Sequence, residues 1–417
     1  MINLEVPKKL KPLIMQAHQV GLNVFRPISR KYDTLEHEEP KELRMFGAIM
    51  RGMSDGGSAA GLNAKEEKSA EGANGSSNGH DNGASSAKSS RVKNGHNMAT
   101  LLGMVELCWG DVGLALSIPG QGLGNAAISA VATPAQKERF GGKWASMAIT
   151  EPNAGSDSAA IRTTARLDGD HYVLNGEKIF VTAGERCEVV VVWATLDPAL
   201  GRAAIKSFVV QKGTPGMEVP RLEKKMGIRA SDTATIVFDE CRIPKENLLG
   251  TAEVDPKKSF AGAMQTFDNT RPIVAGMSLG VARAALERTR EILEKEGVRV
   301  DYGGPLFTKS AVEAELIKLE AELEAARLLT IRAAWMADNK QPNSVEASMA
   351  KAKAGRVGNH VTLRCVELCG ALGYGETELL EKWARDSKIL DIFEGTQQIQ
   401  LLIIARRLLN LSSAQLR

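Results

Sequence analysis

Long apolar runs are the first thing this 417-residue chain lacks. No stretch is long enough to cross a bilayer, which excludes a helical membrane span. The start, Met1-Ile2-Asn3-Leu4-Glu5, has neither the basic residues nor the apolar stretch of a secretion signal, so a cytoplasmic location is expected. A surplus of one charge is also missing: 53 Lys and Arg face 50 Asp and Glu, a formal net charge of +3. That balance gives no reason to expect nucleic acid or a membrane surface as partner. Cysteine is scarce. Cys108, Cys187, Cys241, Cys365 and Cys369 are scattered and odd in number, which argues against a disulfide scaffold and for reduced thiols. Cys365 and Cys369 are four apart on one expected helix, but no histidine stands at ligand spacing, so no metal site is expected.

Large apolar side chains are nearly absent between Ser54 and Asn97, where Leu62 and Val92 stand among Gly, Ser, Asn and Ala. Such a segment cannot bury enough surface to offset its chain entropy and is expected to be a disordered linker. On either side the pattern is helical, with Pro27 as an expected break. The middle of the chain changes period. Tyr172-Val173-Leu174, Asn175-Gly176 and Lys178-Ile179-Phe180-Val181-Thr182 spell a hairpin with a two-residue turn. Strand-like runs follow at 189–193, 207–210 and 235–238. After Pro256 helical spacing returns, with Leu316, Leu319, Leu323, Ile331 and Trp335 along one helix. The expected class is α+β in three domains: an N-terminal helical domain (1–144) carrying the 54–97 insertion, a middle β-barrel or sandwich domain (145–254), and a C-terminal antiparallel helix bundle (255–417).

Two segments carry the chemistry. Ile392-Phe393-Glu394-Gly395-Thr396-Gln397-Gln398-Ile399-Gln400 sets one carboxylate beside a glycine among apolar and amide side chains. A lone acid there is costly as a charge and acquires a raised pKa, which suits a general base acting on a carbon-bound proton. The plain alternative is an acid at a helix N-terminus, favoured by the dipole. Thr150-Glu151-Pro152-Asn153-Ala154-Gly155-Ser156-Asp157 forms a turn rich in hydroxyls and backbone N–H donors, able to hold a ring edge or a phosphate, or simply a polar turn. Gly120-x-Gly122-x-Gly124 lacks a preceding strand and the final glycine spacing of a dinucleotide loop, so tight packing or a cavity wall is expected there.

Together the Thr150–Asp157 and Glu394–Gln400 segments, with Phe267-Asp268-Asn269-Thr270-Arg271-Pro272, resemble the acyl-CoA dehydrogenase flavoenzyme family over residues 98–411. The resemblance implies FAD as cofactor and conversion of an acyl-CoA thioester to its trans-2-enoyl form. Glu394 would take the α-proton while the β-hydride passes to the flavin. The thioester carbonyl would be held by the ribityl 2′-hydroxyl and the Glu394 N–H. Met147, Ile149, Thr150, Gly155, Ser156, Phe180, Thr182, Thr396 and Gln398 would line the flavin, with Phe180 standing where the family usually has tryptophan. Ser156, Phe267, Asp268, Arg271, Gly395 and Arg406 would contact the acyl-CoA. Thr270 marks the place where a minority of members carry the glutamate.

From a neighbouring subunit, Arg299, Tyr302, Glu367 and Gly370 would reach the cofactor. Here the chain departs from the family: Ser310 replaces a glutamine, and Glu367-Leu368-Cys369-Gly370-Ala371 replaces Gln-x-x-Gly-Gly. A glutamate near a pyrophosphate is repulsive. Two assemblies follow, a homotetramer or a mixed oligomer with a related chain. The resemblance implies an electron-transfer flavoprotein as acceptor. The alternatives are an acyl-CoA oxidase reoxidised by oxygen and a non-catalytic partner subunit. Residues 116–124 align with the end of the acyl cavity, where small residues would leave room for a bulky chain.

Overall fold

The computed structural model describes residues 6–44, 95–120, 122–254, 261–412 and 415, with backbone alone at 261–269. Of the expected linker at 54–97, residues 54–94 lie outside the described residues, and His96 and Asn97 are already helical. Helices form both ends of the fold and a curled seven-stranded sheet lies between them.

The chain stays helical through α1 (Lys11–Val20), a π-helical turn (Gly21–Phe25) and α2 (Arg26–Thr34). Pro27 is therefore not the expected break. It falls in the first turn of α2, and the wider turn before it accommodates the missing N–H. Helix α3 (His96–Gly110) begins two residues before Met98. Its first N–H groups are capped from far away: Asp338 accepts from Asn97 N at 2.9 Å and Met98 N at 3.0 Å. Gly110 crosses Gly21 so closely that a Cβ on Gly110 would lie 2.5 Å from the Gly21 Cα. Helix α4 (Val112–Leu116) follows, with Asp111 as N-cap, then α5 (Leu123–Val131) and α6 (Pro134–Phe140).

The strands are β1 (Ala145–Ala148), β2 (Thr164–Asp168), β3 (His171–Thr182), β4 (Val189–Thr195), β5 (Ile205–Gln211), β6 (Met217–Leu222) and β7 (Thr233–Pro244). Their order is β1-β4-β2-β3-β7-β6, with β5 on β4. The whole of β4 is buried because both its faces are covered. Val190, Val192 and Ala194 pack inside the curled sheet with Leu174 and Phe208, while Val189 and Val191 meet Ile128 and Phe140 of α5 and α6. The hairpin expected at Asn175-Gly176 is absent. One strand runs from His171 to Thr182, and the tight turn lies between Asp168 and His171. Gly176 serves close approach instead, since a Cβ there would sit 2.5 Å from Thr163 Oγ1.

The C-terminal helices are α7 (Ala261–Lys295), α8 (Ala311–Asp338), α9 (Ser344–Leu368), α10 (Gly370–Tyr374), α11 (Leu380–Ser387) and α12 (Gln397–Leu409). Leu316, Leu319 and Ile331 of α8 are buried as their spacing predicts. The largest apolar cluster joins Phe25, Tyr32 and Trp109 to Leu316, Val357 and Trp383, so both helical ends share one core. All three parts meet at a buried ion cluster. Lys382 reaches Asp111 at 2.7 Å and Asp386 at 2.5 Å, and Asp386 accepts from Ile228 N at 2.6 Å. The glycines near 120 are occupied by packing: Cβ atoms on Gly122 and Gly124 would lie 2.3 Å from the carbonyls of Ala145 and Ser146 on β1. That is the tight-packing alternative, and the space beside these two glycines is filled.

Candidate active site

Glu394 lies in the turn that joins α11 to α12. Its φ is +54°, a left-handed value that strains a residue with a side chain, and Gly395 follows at +93°. The strain persists because the turn is held from outside. Lys351 of α9 donates to the Gly395 carbonyl at 2.7 Å. Gln400 donates to the same carbonyl at 3.1 Å and to that of Glu394 at 3.3 Å. Glycine is doubly required at 395: the backbone is left-handed, and a Cβ would meet Gln400 Nε2 at 2.4 Å. Thr396 then caps α12 by accepting from Ile399 N.

The Glu394 carboxyl accepts a hydrogen bond from Thr270 Oγ1 at 2.6 Å. The two positions at which the resemblance places the base thus touch. Burial pushes the Glu394 pKa up; the Thr270 hydroxyl and the charges of Arg271 and Lys351 oppose it. The residue is half-buried overall, while protein packs round its carboxyl. Lys351 is fully buried, which lowers its pKa to about 8, against the pull of Asp391 and Glu394.

The second segment is anchored by its own glutamate. Glu151 accepts from Arg162 N at 2.6 Å, Thr163 N at 2.9 Å, Thr163 Oγ1 at 2.6 Å and Lys178 Nζ at 2.7 Å. Burial raises its pKa, but Lys178 and these donors outweigh it and hold the value down. Lys178, with no exposed surface, is lowered to about 8 by burial and also donates to the Ile149 carbonyl at 3.2 Å. Ile179 N donates to the Thr150 carbonyl at 2.9 Å. The turn is thereby tied to β3 just before Phe180. There the pairing of β3 with β7 slips between Lys178 and Val181, and Phe180 takes φ +57° and is left 60% exposed. Thr182, Met147, Ile149 and Thr150 are half-buried nearby, whereas Gly155 and Ser156 are exposed.

The other expected residues fall elsewhere. Arg299 is exposed and pairs with Glu294 at 3.0 Å; Tyr302 donates to Glu320 at 2.9 Å. Glu367 pairs with Arg364, which also holds Glu315 at 2.9 Å. Gly370, at φ +53°, is the first residue of α10. These partners belong to α7, α8 and α9. Ser310 caps α8 in a capping box with Glu313, which accounts for serine at that position. Arg271 is buried, Arg406 half-buried and Gln398 exposed. The side chains of Phe267 and Asp268 lie outside the described residues.

Lys178, Lys351 and Gln400 were not anticipated from the sequence. Lys351 and Lys353 stand two apart on one helix and read alike, yet Lys353 pairs at the surface with Glu322 while Lys351 turns inward. Only packing separates them. Gln400 carried a faint signal, as an amide six residues after the acid.

Residues 146–241 match the model of the acyl-CoA dehydrogenase middle domain, and residues 260–409 that of the C-terminal domain. The chain is 41% identical over 269 residues to the mitochondrial short-chain specific acyl-CoA dehydrogenase of Bos taurus, 64% of each chain. It is 35% identical over 326 residues to the short-chain specific acyl-CoA dehydrogenase of Megasphaera elsdenii, covering 75% of this chain and 82% of that one. The solved structure of butyryl-CoA dehydrogenase from Megasphaera elsdenii superposes with a TM-score of 0.81 at 29% identity, covering 98% of this chain and 100% of that one. The fold is that of acyl-CoA dehydrogenases. The chain belongs to the acyl-CoA dehydrogenase family, and its match spans about 64% of the length of the mitochondrial relatives.

Proposed function

We propose that the protein removes the α- and β-hydrogens of an acyl-CoA thioester, with Glu394 as the base. One observation carries this reading: a carboxyl whose proton affinity is raised by burial stands on a strained turn whose carbonyls are clamped by Lys351 and Gln400. A base of raised pKa is matched to a weakly acidic carbon-bound proton. The Glu394 N–H, on the same turn, is the proposed donor to the thioester oxygen as charge develops. An acyl chain bound over the carboxyl would exclude water and strengthen both interactions.

FAD is the proposed cofactor. The residues suit it: the Phe180 ring presents an uncovered apolar face on a strained strand, beside a turn fastened to that same strand. Met147, Ile149, Thr150, Gly155, Ser156, Phe180, Thr182, Thr396 and Gln398 would hold it, and when bound it supplies the hydride acceptor. Arg271 and Arg406, with Ser156, Phe267, Asp268 and Gly395, are the proposed contacts for acyl-CoA. We assign Arg299, Tyr302, Glu367 and Gly370 to the neighbouring subunit's cofactor in a homotetramer. The ion pair with Arg364 offsets the charge of Glu367 and supports that assignment. A mixed oligomer with a related chain is the competing assembly. An electron-transfer flavoprotein is the proposed acceptor, rather than oxygen. Five buried free cysteines support a reducing compartment such as the cytoplasm.

The test is a visible spectrum of the purified chain before and after anaerobic addition of acyl-CoAs of different lengths. A flavin band that bleaches supports the reading. A band that no thioester bleaches overturns it. Absence of flavin, restored on mixing with a related chain, replaces the homotetramer by the mixed assembly.

A further inference from the structure

The hydrogen bond between Thr270 and Glu394 joins two distant elements, α7 and the α11–α12 turn. Thr270 is nearly buried, and its β-branched side chain on a helix has few χ1 choices, so its hydroxyl is a stiff fixture. The backbone of Glu394 is equally restricted, through the clamps on its own carbonyl and on that of Gly395. A stiff donor therefore meets a carboxyl on a stiff turn. At 2.6 Å the contact has the length of an O–H···O⁻ bond, which favours the ionised form. The charges facing Glu394 are Arg271 from α7 and Lys351 from α9, with Asp391 on its own segment drawing on the same lysine.

We propose that Thr270 is a positioning residue for the base: its hydroxyl fixes the direction of the Glu394 carboxyl and donates to it in its charged form. The inference rests on the reading of Glu394 as the base. Without the hydroxyl the carboxyl would stay protonated to higher pH and would take the α-proton more slowly near neutrality. The position that carries the base in some members of the family thus retains a duty in this chain as tuner of the base.

Thr270→Val removes the hydroxyl and keeps the branched shape; Thr270→Ser keeps the hydroxyl. The readout is the pH titration of the Glu394 carboxyl by ¹³C resonance in the intact protein, assigned by its loss in Glu394→Gln. It needs no turnover. Thr270→Val is expected to raise the midpoint by about one pH unit, the size of one charge-assisted hydrogen bond. Thr270→Ser is expected to restore it. The acid limb of the anaerobic flavin-bleaching rate should move with it, about tenfold slower on that limb. An unmoved or lowered midpoint in Thr270→Val, or an equal shift in Thr270→Ser, overturns the inference. If the parent protein bleaches with acyl-CoA and the midpoint stays put, only this inference falls. If no thioester bleaches the parent, the base assignment falls while the titration still measures the coupling.

Discussion

Glu151 and Glu394 sit in the two signature segments, and both are packed among protein atoms beside a buried lysine. Their proton affinities move in opposite directions. Glu151 accepts four hydrogen bonds, one from Lys178. Glu394 accepts one from Thr270, while the nearby Lys351 spends its proton on a backbone carbonyl. The contrast shows how one fold lowers the proton affinity of one packed acid and raises that of the other. A carboxylate surrounded by donors is locked as a charge. One whose neighbours hold the backbone instead keeps a proton affinity that chemistry can use.

The sharpest way to break the contrast is to neutralise each partner of it in turn. Glu394→Gln should retain flavin and bind acyl-CoA but lose about 10²–10⁴-fold in dehydrogenation rate, the usual worth of a general base. A variant within tenfold of the parent in anaerobic bleaching would return Glu394 to the plain role of a helix-terminal acid. The same variant should unfold at no lower temperature than the parent at neutral pH. A carboxyl of raised pKa contributes least to stability once it is charged.

Lys178→Met attacks the locked side of the comparison. It leaves Glu151 buried without its cation and should cost about 3 kcal/mol in denaturant unfolding. The pH dependence follows from the sign of the shift. Glu151 has a depressed folded pKa, so its stabilisation is present above its ordinary value of 4.5 and is lost as pH falls through the folded one. The gap between parent and Lys178→Met should therefore narrow in acid. A constant gap between pH 7 and pH 4 would mean that the lysine acts through packing rather than charge.

Smaller effects sharpen the setting of the two sites. Gly124→Ala forces a Cβ against the Ser146 carbonyl on β1 and should cost about 1–3 kcal/mol, read from its melting curve. An unchanged melt would reopen the cavity-wall reading of that segment. Ser310→Ala removes the α8 cap and should cost about 1 kcal/mol while leaving flavin content unaltered. Loss of flavin in that variant would return Ser310 to the cofactor site.

Much of the fold was legible in local pattern. Periodicity located the buried face of α8, and apolar runs located β4, β5 and β7 because each is covered by neighbours. The edge strand β6 and the short β1 and β2 left no comparable signal. The Asn175-Gly176 pair misled because the same dipeptide serves a tight turn and a close crossing, and Thr163 decides between them from another strand. Glu394 stood out in the sequence because a lone acid among apolar and amide neighbours is visible in one dimension. Thr270, Lys351 and Gln400 did not, because their bearing on that acid depends on where α7, α9 and α12 come together.

The sequence by itself determined the helix, sheet and helix order, the chemistry available to the chain and the identity of its candidate base. These follow from side-chain period and residue type, which are local. The tertiary structure alone decided which lysine turns inward, which glutamate is held as a charge and which has its proton affinity raised. Hydrogen bonds, burial and charge act through space over a few ångströms, and that neighbourhood exists only once distant segments have packed.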